Sequence, residues 1–94
     1  MLKLQDFSPL RGDHFELNAC DQGLLAVSLV EAHALTSHPS ALRASFSLVF
    51  EGPAQPLLPQ ATYGVTHPTL GALDIFLVPV ARSPAGIRYE AVFN

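Results

Sequence analysis

Apolar and polar residues alternate most cleanly in the middle of the chain, in the segment LRASFSLVFEGP at residues 42–53. In an extended strand, alternate residues point to opposite faces. The apolar face would carry Leu42, Ala44, Phe46, Leu48 and Phe50. The polar face would carry Arg43, Ser45, Ser47 and Glu51. The pattern therefore predicts a half-buried strand that ends at Gly52-Pro53 and sets the register of its neighbours.

Alternation also predicts a strand near the start of the chain, with Phe15, Leu17 and Ala19 on its apolar side. The following segment, residues 24–34, is ambiguous, because its apolar run fits either a short helix or a strand. Its own alternation and the turn signal just before it, at residues 21–23, favour a strand.

Three more strands are predicted in the second half of the chain, at residues 62–66, 73–80 and 87–94. The loop at residues 82–86 is short enough to join the last two as a hairpin. Asp74 is the exception in the otherwise apolar segment 73–80, which therefore predicts a central strand covered on both faces.

Two connections carry strong loop signals. Residues 36–40, TSHPS, are polar and contain a proline, and they predict an exposed loop. Residues 52–59, GPAQPLLP, hold three prolines, which cannot donate to a sheet. This segment is predicted to cross the fold outside the sheet, with Leu57 and Leu58 as its anchors.

The N-terminal segment, residues 4–12, predicts a single helical turn at most. Phe7 and Leu10 are three residues apart, so this turn can tuck both under the sheet as a lid. About six short strands joined by glycine and proline turns are typical of an antiparallel barrel or sandwich. The fold is therefore predicted as one all-β domain over residues 1–94.

Composition adds an expectation about the outer surface. The chain has 94 residues, of which 49% are hydrophobic and 14% charged, and this is apolar for a small domain. Its strands offer more apolar positions than one small core can bury, and the outward positions Val49, Val78 and Val92 form a candidate interface. The leading hypothesis is a non-enzymatic structural or protein-interaction module that binds itself, as a homo-oligomer, or another protein.

The charge and the cysteine content limit the kinds of partner and the cellular location that we expect for this protein. The net charge is −3, and the five basic residues are scattered, which argues against nucleic-acid binding. No stretch approaches the roughly 20 apolar residues of a membrane span, and the first residues lack the pattern of a signal peptide. A single cysteine, Cys20, cannot form an internal disulfide. We therefore expect a cytoplasmic protein that binds neither membrane nor nucleic acid.

Several motifs together resemble one family. They are FSPLRGDHFEL, SFSLVFEGP, LPQATYGVTHPTLGALDIFLVPV and the terminal RYEAVFN. Over essentially its whole length, the chain is similar to small bacterial proteins of the DUF6916 type, a domain of unknown function. The resemblance implies no activity, and it associates the chain with larger bacterial or phage-tail-like assemblies. The matched positions look like core and turn residues: Phe46, Leu48, Phe50, Gly52, Tyr63, His67, Gly71, Leu73, Phe76, Leu77, Pro79, Tyr89, Glu90 and Phe93.

Metal and nucleophile signals are weak. Cys20 lies beside Asp21, and a neighbouring carboxylate disfavours the reactive thiolate. The histidines lack the spacing of a metal pair on a strand or helix. They are His14, His33, His38 and His67. No metal, cofactor or catalytic residue is predicted.

Two carboxylates stand out in the C-terminal strands. If residues 73–80 and 87–94 pair as a hairpin, Arg88 can form an ion pair with Asp74 or Glu90. A catalytic dyad would need a concave, water-excluding site, and a small barrel is usually filled by its own side chains. The protein is therefore not predicted to be an enzyme.

The alternative function is a small-molecule-binding β-barrel. In this hypothesis the interior or the mouth of the barrel admits an apolar ligand. Tyr63, His67 and Tyr89 would be its polar handles.

Overall fold

Six antiparallel strands close into a barrel in the computed structural model, which describes residues 3–19, 23–35 and 45–93. The elements are α1 (Leu4–Phe7), a 3₁₀ turn (Ser8–Leu10), β1 (His14–Asn18), β2 (Leu24–Ala34), β3 (Phe46–Gly52), β4 (Ala61–His67), β5 (Gly71–Ser83) and β6 (Gly86–Phe93). The predicted all-β antiparallel fold with a short N-terminal helical segment is therefore confirmed, and of the two predicted alternatives, barrel and sandwich, it is the barrel. The loop predicted at residues 36–40 and the start of the central strand at 42–44 lie outside the described ranges.

The strands are ordered β1-β2-β3-β6-β5-β4 around the barrel, and β4 pairs with β1 to close it. The ambiguous segment 24–34 is a strand, β2, which pairs with β1 on one side and β3 on the other. β5 and β6 are joined by the predicted hairpin, with Ser83 opposite Gly86. No helix in the described ranges is long and apolar enough to cross a membrane.

The interior is built from the alternate residues that the pattern predicts. Phe46, Leu48 and Phe50 of β3 are buried, and β3 pairs along its whole length with β6. The ring of Phe50 meets the ring of Phe15 edge-on, with 5.3 Å between their centroids. These rings come from β1 and β3, which are not neighbours in the sheet, so the aromatic side chains pack across the interior of the barrel.

The N-terminal turn covers one end of the barrel, as predicted. The ring of Phe7 is fully buried and lies 5.9 Å from Phe46 and 5.7 Å from Phe93. Leu10 is partly buried against the same core. Asp6 closes the turn by accepting a hydrogen bond from the backbone N–H of Lys3 at 2.7 Å. We call this end of the barrel the lid end.

The proline-rich segment covers the opposite end. It is an irregular crossover between β3 and β4. Of its two predicted anchors, Leu58 is only 3% exposed, whereas Leu57 is 56% exposed. Of the two leucines, only Leu58 reaches the core, because adjacent residues of an extended chain point in opposite directions.

β5 differs from its prediction as a strand covered on both faces. Ile75 and Leu77 are buried in the barrel, but Asp74 and Phe76 are exposed on its outside. The reason is that a single closed sheet has one interior and can bury only one face of each strand. A second difference concerns Ser47, which was expected to face solvent and is buried on the outer side of β3.

Gly86 lies beside the hairpin, where β3 and β6 meet, and its replacement by a larger residue is predicted to destabilise the fold strongly. Gly86 has φ +154°, and a Cβ there would overlap the carbonyl oxygen of Gly52. We expect Gly86→Ala to lower the free energy of unfolding by about 3 kcal/mol or more, measured by urea denaturation.

Gly12→Ala is the matched control. Gly12 also has positive φ, +90°, but nothing lies within 4 Å of the added Cβ. Gly12→Ala should lower the free energy of unfolding only by the backbone strain, about 1 kcal/mol. Equal losses in the two variants would show that the contact with Gly52 does not limit the site.

Candidate functional site

Three adjacent strands, β3, β6 and β5, carry the predicted interface residues on their outer face. The register pairs Val49 of β3 with Glu90 of β6, and Glu90 in turn with Val78 of β5. Val49 and Val78 are half-buried and lie on either side of the Glu90 carboxylate. The structure thus brings two of the three predicted valines into one row across the sheet.

Two further apolar side chains continue this row toward the lid end. Val92 lies two residues after Glu90, and Phe76 lies two residues before Val78, which is the same direction in antiparallel strands. Their exposed fractions are 53% and 52%.

A β-bulge between Pro79 and Ala81 adds one more. It leaves Val80 without a partner on β6 and 52% exposed on the outside. We call the resulting surface the outer patch: Val49, Phe76, Val78, Val80 and Val92 around Glu90.

A network of ion pairs lies beside the outer patch, toward the hairpin. Arg88 of β6 holds two carboxylates, with its Nε 3.1 Å from Glu51 and its Nη1 3.2 Å from Glu31. Ser83 donates its hydroxyl hydrogen to Glu51 at 2.8 Å, and His33 Nε2 lies 2.8 Å from Glu31. The network spans β2, β3, β6 and β5 and links four of the six strands.

The predicted partners of Arg88, Asp74 and Glu90, are both wrong. The register places Arg88 directly opposite Glu51 on β3, whereas Asp74 lies opposite Gly64 on β4. Glu90 shares a strand with Arg88, but it lies between Val49 and Val78. β6 pairs with β3 as well as with β5, and the pairing with β3 places Glu51 next to Arg88. The predicted β5–β6 hairpin alone does not reveal this partner.

The network also changes the acidity of Glu51. The hydrogen bond from Ser83, together with the hydrogen bond and charge of Arg88, lowers the pKa of Glu51 below its ordinary value of 4.5, although partial burial opposes this. Glu51 is therefore held in its ionised form.

The polar ends of the predicted ligand handles are engaged within the chain. The hydroxyl of Tyr89 accepts a hydrogen bond from the backbone N–H of Leu58 at 3.1 Å, and the hydroxyl of Tyr63 donates to the carbonyl of Pro59. Both tyrosines therefore fasten the crossover over the barrel end. This arrangement places them in the wall and closure of the barrel.

His67, the third handle, is buried at the lid end and has a defined tautomer. Its Nδ1 accepts a hydrogen bond from the backbone N–H of Thr69 at 3.0 Å, so the ring hydrogen is on Nε2. Nε2–H then donates to the Asp13 carboxylate at 3.0 Å, and the ring lies 4.6 Å from that of Phe15. These contacts join the start of β1 to the end of β4, beyond the three residue pairs that close the barrel there.

The described portion of the chain contains no cluster of metal-binding side chains. Within residues 3–19, 23–35 and 45–93, no three histidine, cysteine, aspartate or glutamate side chains come together as a metal site. His33 pairs with Glu31, and His67 pairs with Asp13. Cys20 and His38 lie outside these ranges.

Comparison with known proteins identifies a family. A family model described as "Domain of unknown function (DUF6916)" matches residues 2–93, in agreement with the resemblance of the sequence motifs. Neither the curated proteins nor the solved structures gave a significant match to the chain.

The lowered pKa of Glu51 predicts a pH-dependent loss of stability. Because the folded pKa lies below the unfolded value, the stabilisation by ionised Glu51 is complete above about pH 4.5 and is lost as the pH falls through the folded pKa. The difference in unfolding free energy between the parent and Glu51→Gln should therefore be largest at pH 7 and shrink toward pH 3. Urea denaturation at both pH values measures it.

Ser83→Ala provides a second test of the same network. This variant should raise the pKa of Glu51 toward its ordinary value and lower the unfolding free energy at pH 7 by about 1 kcal/mol. NMR titration of the Glu51 carboxyl carbon gives the pKa directly. A pKa that Ser83→Ala leaves unchanged would contradict the assigned cause.

The hydrogen bond between the crossover and Tyr89 predicts that removing the Tyr89 hydroxyl lowers the stability of the fold. Tyr89→Phe leaves the buried N–H of Leu58 without its acceptor, which should lower the unfolding free energy by about 1–3 kcal/mol. Leu57→Ala, in the same segment but exposed, should change it by less than about 0.5 kcal/mol. A Tyr89→Phe variant as stable as Leu57→Ala would show that the hydroxyl does not fasten the crossover.

Proposed function

The chain belongs to the DUF6916 family, and from this premise and the geometry of the outer patch we propose that it is a non-enzymatic structural or protein-interaction module. The partner binds the outer patch. The partner is a second copy of the chain or another protein.

The observation that carries the proposal is the concentration of exposed apolar side chains on adjacent strands. Phe76, Val80 and Val92 are each about half exposed. The described outer face of β1 and β4 is more polar. Its exposed residues include Glu16, Asn18, Thr62 and Thr66. Scattered apolar residues are ordinary on a protein surface, whereas a contiguous group supports an interaction site. Covering such side chains contributes roughly 25 cal/mol for each Å² removed from water.

Glu90 gives the outer patch a chemical preference. In the described portion of the chain its carboxylate has no ion-pair or hydrogen-bond partner. Val49 and Val78 lie opposite it on the two neighbouring strands. Arg88, two residues before it on the same face, is engaged by Glu31 and Glu51. A partner that covers the outer patch without neutralising this charge would incur its desolvation cost. The partner therefore places a basic or hydrogen-bond-donating group opposite Glu90. In a symmetric dimer, the two copies of Glu90 must be offset from the axis, because like charges repel.

The polar residues of the barrel support a non-enzymatic role. Arg88 binds Glu31 and Glu51 on the outer surface, and His67 binds Asp13 at the lid end. These pairs join different strands of the barrel, and each has a structural use. The net charge of −3 also supports a protein partner over nucleic acid.

The small-molecule-binding alternative has less support. The described interior is packed with seventeen buried apolar residues, and Phe7 and Leu58 are buried at its two ends. A ligand inside the barrel would have to displace these side chains. The motif resemblance extends the leading proposal to a part of a larger bacterial or phage-tail-like assembly, and the single cysteine supports a cytoplasmic location.

Self-association through the outer patch predicts a clear effect of Val92→Glu. Light scattering across a concentration series should show the parent as an oligomer. Val92→Glu should raise the dissociation constant by about 100-fold, because it buries a second charge beside Glu90. Val49→Glu and Val78→Glu should act in the same direction.

Leu57→Glu is the matched control, because Leu57 is equally exposed and apolar but lies on the crossover. It should leave the oligomer intact. If the parent is monomeric at all concentrations, the same four variants are compared in protein capture, where loss on the three valine variants but not on Leu57→Glu would support a different protein as the partner. A monomer that captures no protein through the outer patch would contradict the proposal.

A further inference from the structure

A groove of about 580 Å³ runs along the outer face of β1, between β2 and β4. It exists because the residues beside Glu16 are small: the register pairs Glu16 with Ala26 on β2 and with Thr66 on β4. Larger residues, Leu24 and Pro68, line it as well. Its volume lies in the range of small-ligand sites. We call it the β1 groove.

The β1 groove is separate from the outer patch. In the strand order, β1 and β6 are three places apart in either direction around the barrel. The two surfaces therefore lie on opposite sides of the molecule, and a ligand in one does not cover the other.

The lining combines one carboxylate with an apolar wall. Glu16 is exposed, and among the described residues it has no hydrogen-bond or ion-pair partner. By contrast, the described carboxylates Asp6, Asp13, Glu31 and Glu51 each bind a group of the chain. His14, two residues from Glu16 on the same face, is the other titratable group in the lining.

The spacing along the strand defines the length of a fitting ligand. Leu24 is 62% exposed and lies two residues beyond Ala26 along β2, opposite Asn18. Two residues along a strand correspond to about 7 Å. A four-carbon stem like that of lysine, with an ammonium at its end, spans this distance between the apolar wall and the carboxylate.

We propose that the β1 groove binds an alkylammonium group, with the cation at Glu16 and the aliphatic stem on Ala26 and Leu24. The carboxylate accepts charge-assisted hydrogen bonds from the ammonium. The stem removes the exposed face of Leu24 from water. An alkyl carboxylate of equal length would gain the apolar contact but would be repelled by Glu16.

The test is an NMR titration of the full chain with ¹⁵N-labelled amides, using n-hexylamine and n-hexanoate at pH 8, where histidine side chains carry little charge. Hexylamine should produce saturable shifts at the amides of Glu16, Ala26 and Thr66, and hexanoate should not. Glu16→Gln should weaken hexylamine binding by about tenfold. Asp74→Asn, which removes the same charge two strands away on β5, should leave it unchanged.

A third probe distinguishes two possible sources of the alkylammonium group, a lysine side chain of a protein and a free alkylamine. If Nα-acetyl-lysinamide binds at least as tightly as hexylamine, the ligand is a lysine side chain of a protein; if hexylamine binds far more tightly, it is a free alkylamine. Both results support the proposal. It is overturned if hexanoate binds as well as hexylamine, if Glu16→Gln binds like the parent, or if no probe saturates.

Discussion

A barrel of six short strands has a single interior, and the rest of the structure depends on this constraint. Each strand can bury only one set of alternate side chains, and these sets together must fill the space. Phe15, Phe50 and Tyr89 are among the large side chains that do so. The two barrel ends are closed by local segments, with Phe7 at one and Leu58 at the other. A chain of this length leaves no room for a second core.

Because the interior is used for packing, the outer surface is where binding specificity can differ from strand to strand. One side, on β3, β6 and β5, is apolar with a central carboxylate. The opposite side, on β4, β1 and β2, has a groove with a different carboxylate, Glu16. In both places the isolated charge limits which partner can bind, since covering an unpaired carboxylate is unfavourable.

Polar contacts also close and order the barrel. Arg88 joins Glu31 and Glu51 across three strands, and Ser83 extends the network to a fourth. His67 and Asp13 strengthen the seam between β1 and β4, where pairing covers only three residue pairs. Surface ion pairs such as those of Arg88 contribute little individually. Their consequence here is to hold together strands that are far apart in sequence.

The strands and their inward faces follow from local pattern. The alternation around Phe46, Leu48 and Phe50 identifies β3, and the turn before residue 24 identifies β2 as a strand, since side-chain period and turn chemistry are local properties. The lid residue Phe7 is also predictable, because its spacing from Leu10 is local.

The partners across strands could not be found in this way. Arg88 binds Glu51 and not Asp74 because β6 pairs with β3, and this pairing joins residues 37 positions apart in sequence. The outer face of β5 is exposed because the sheet closes on itself, which an apolar run alone does not reveal. Val49, Val78 and Val92 were identified as outward residues from their alternation, but their position around Glu90 and beside Phe76 required the register. The β1 groove likewise exists only where Ala26 and Thr66 from two other strands flank Glu16. Pattern along the chain defines which side of a strand is buried, whereas contacts between distant residues depend on which strands become neighbours.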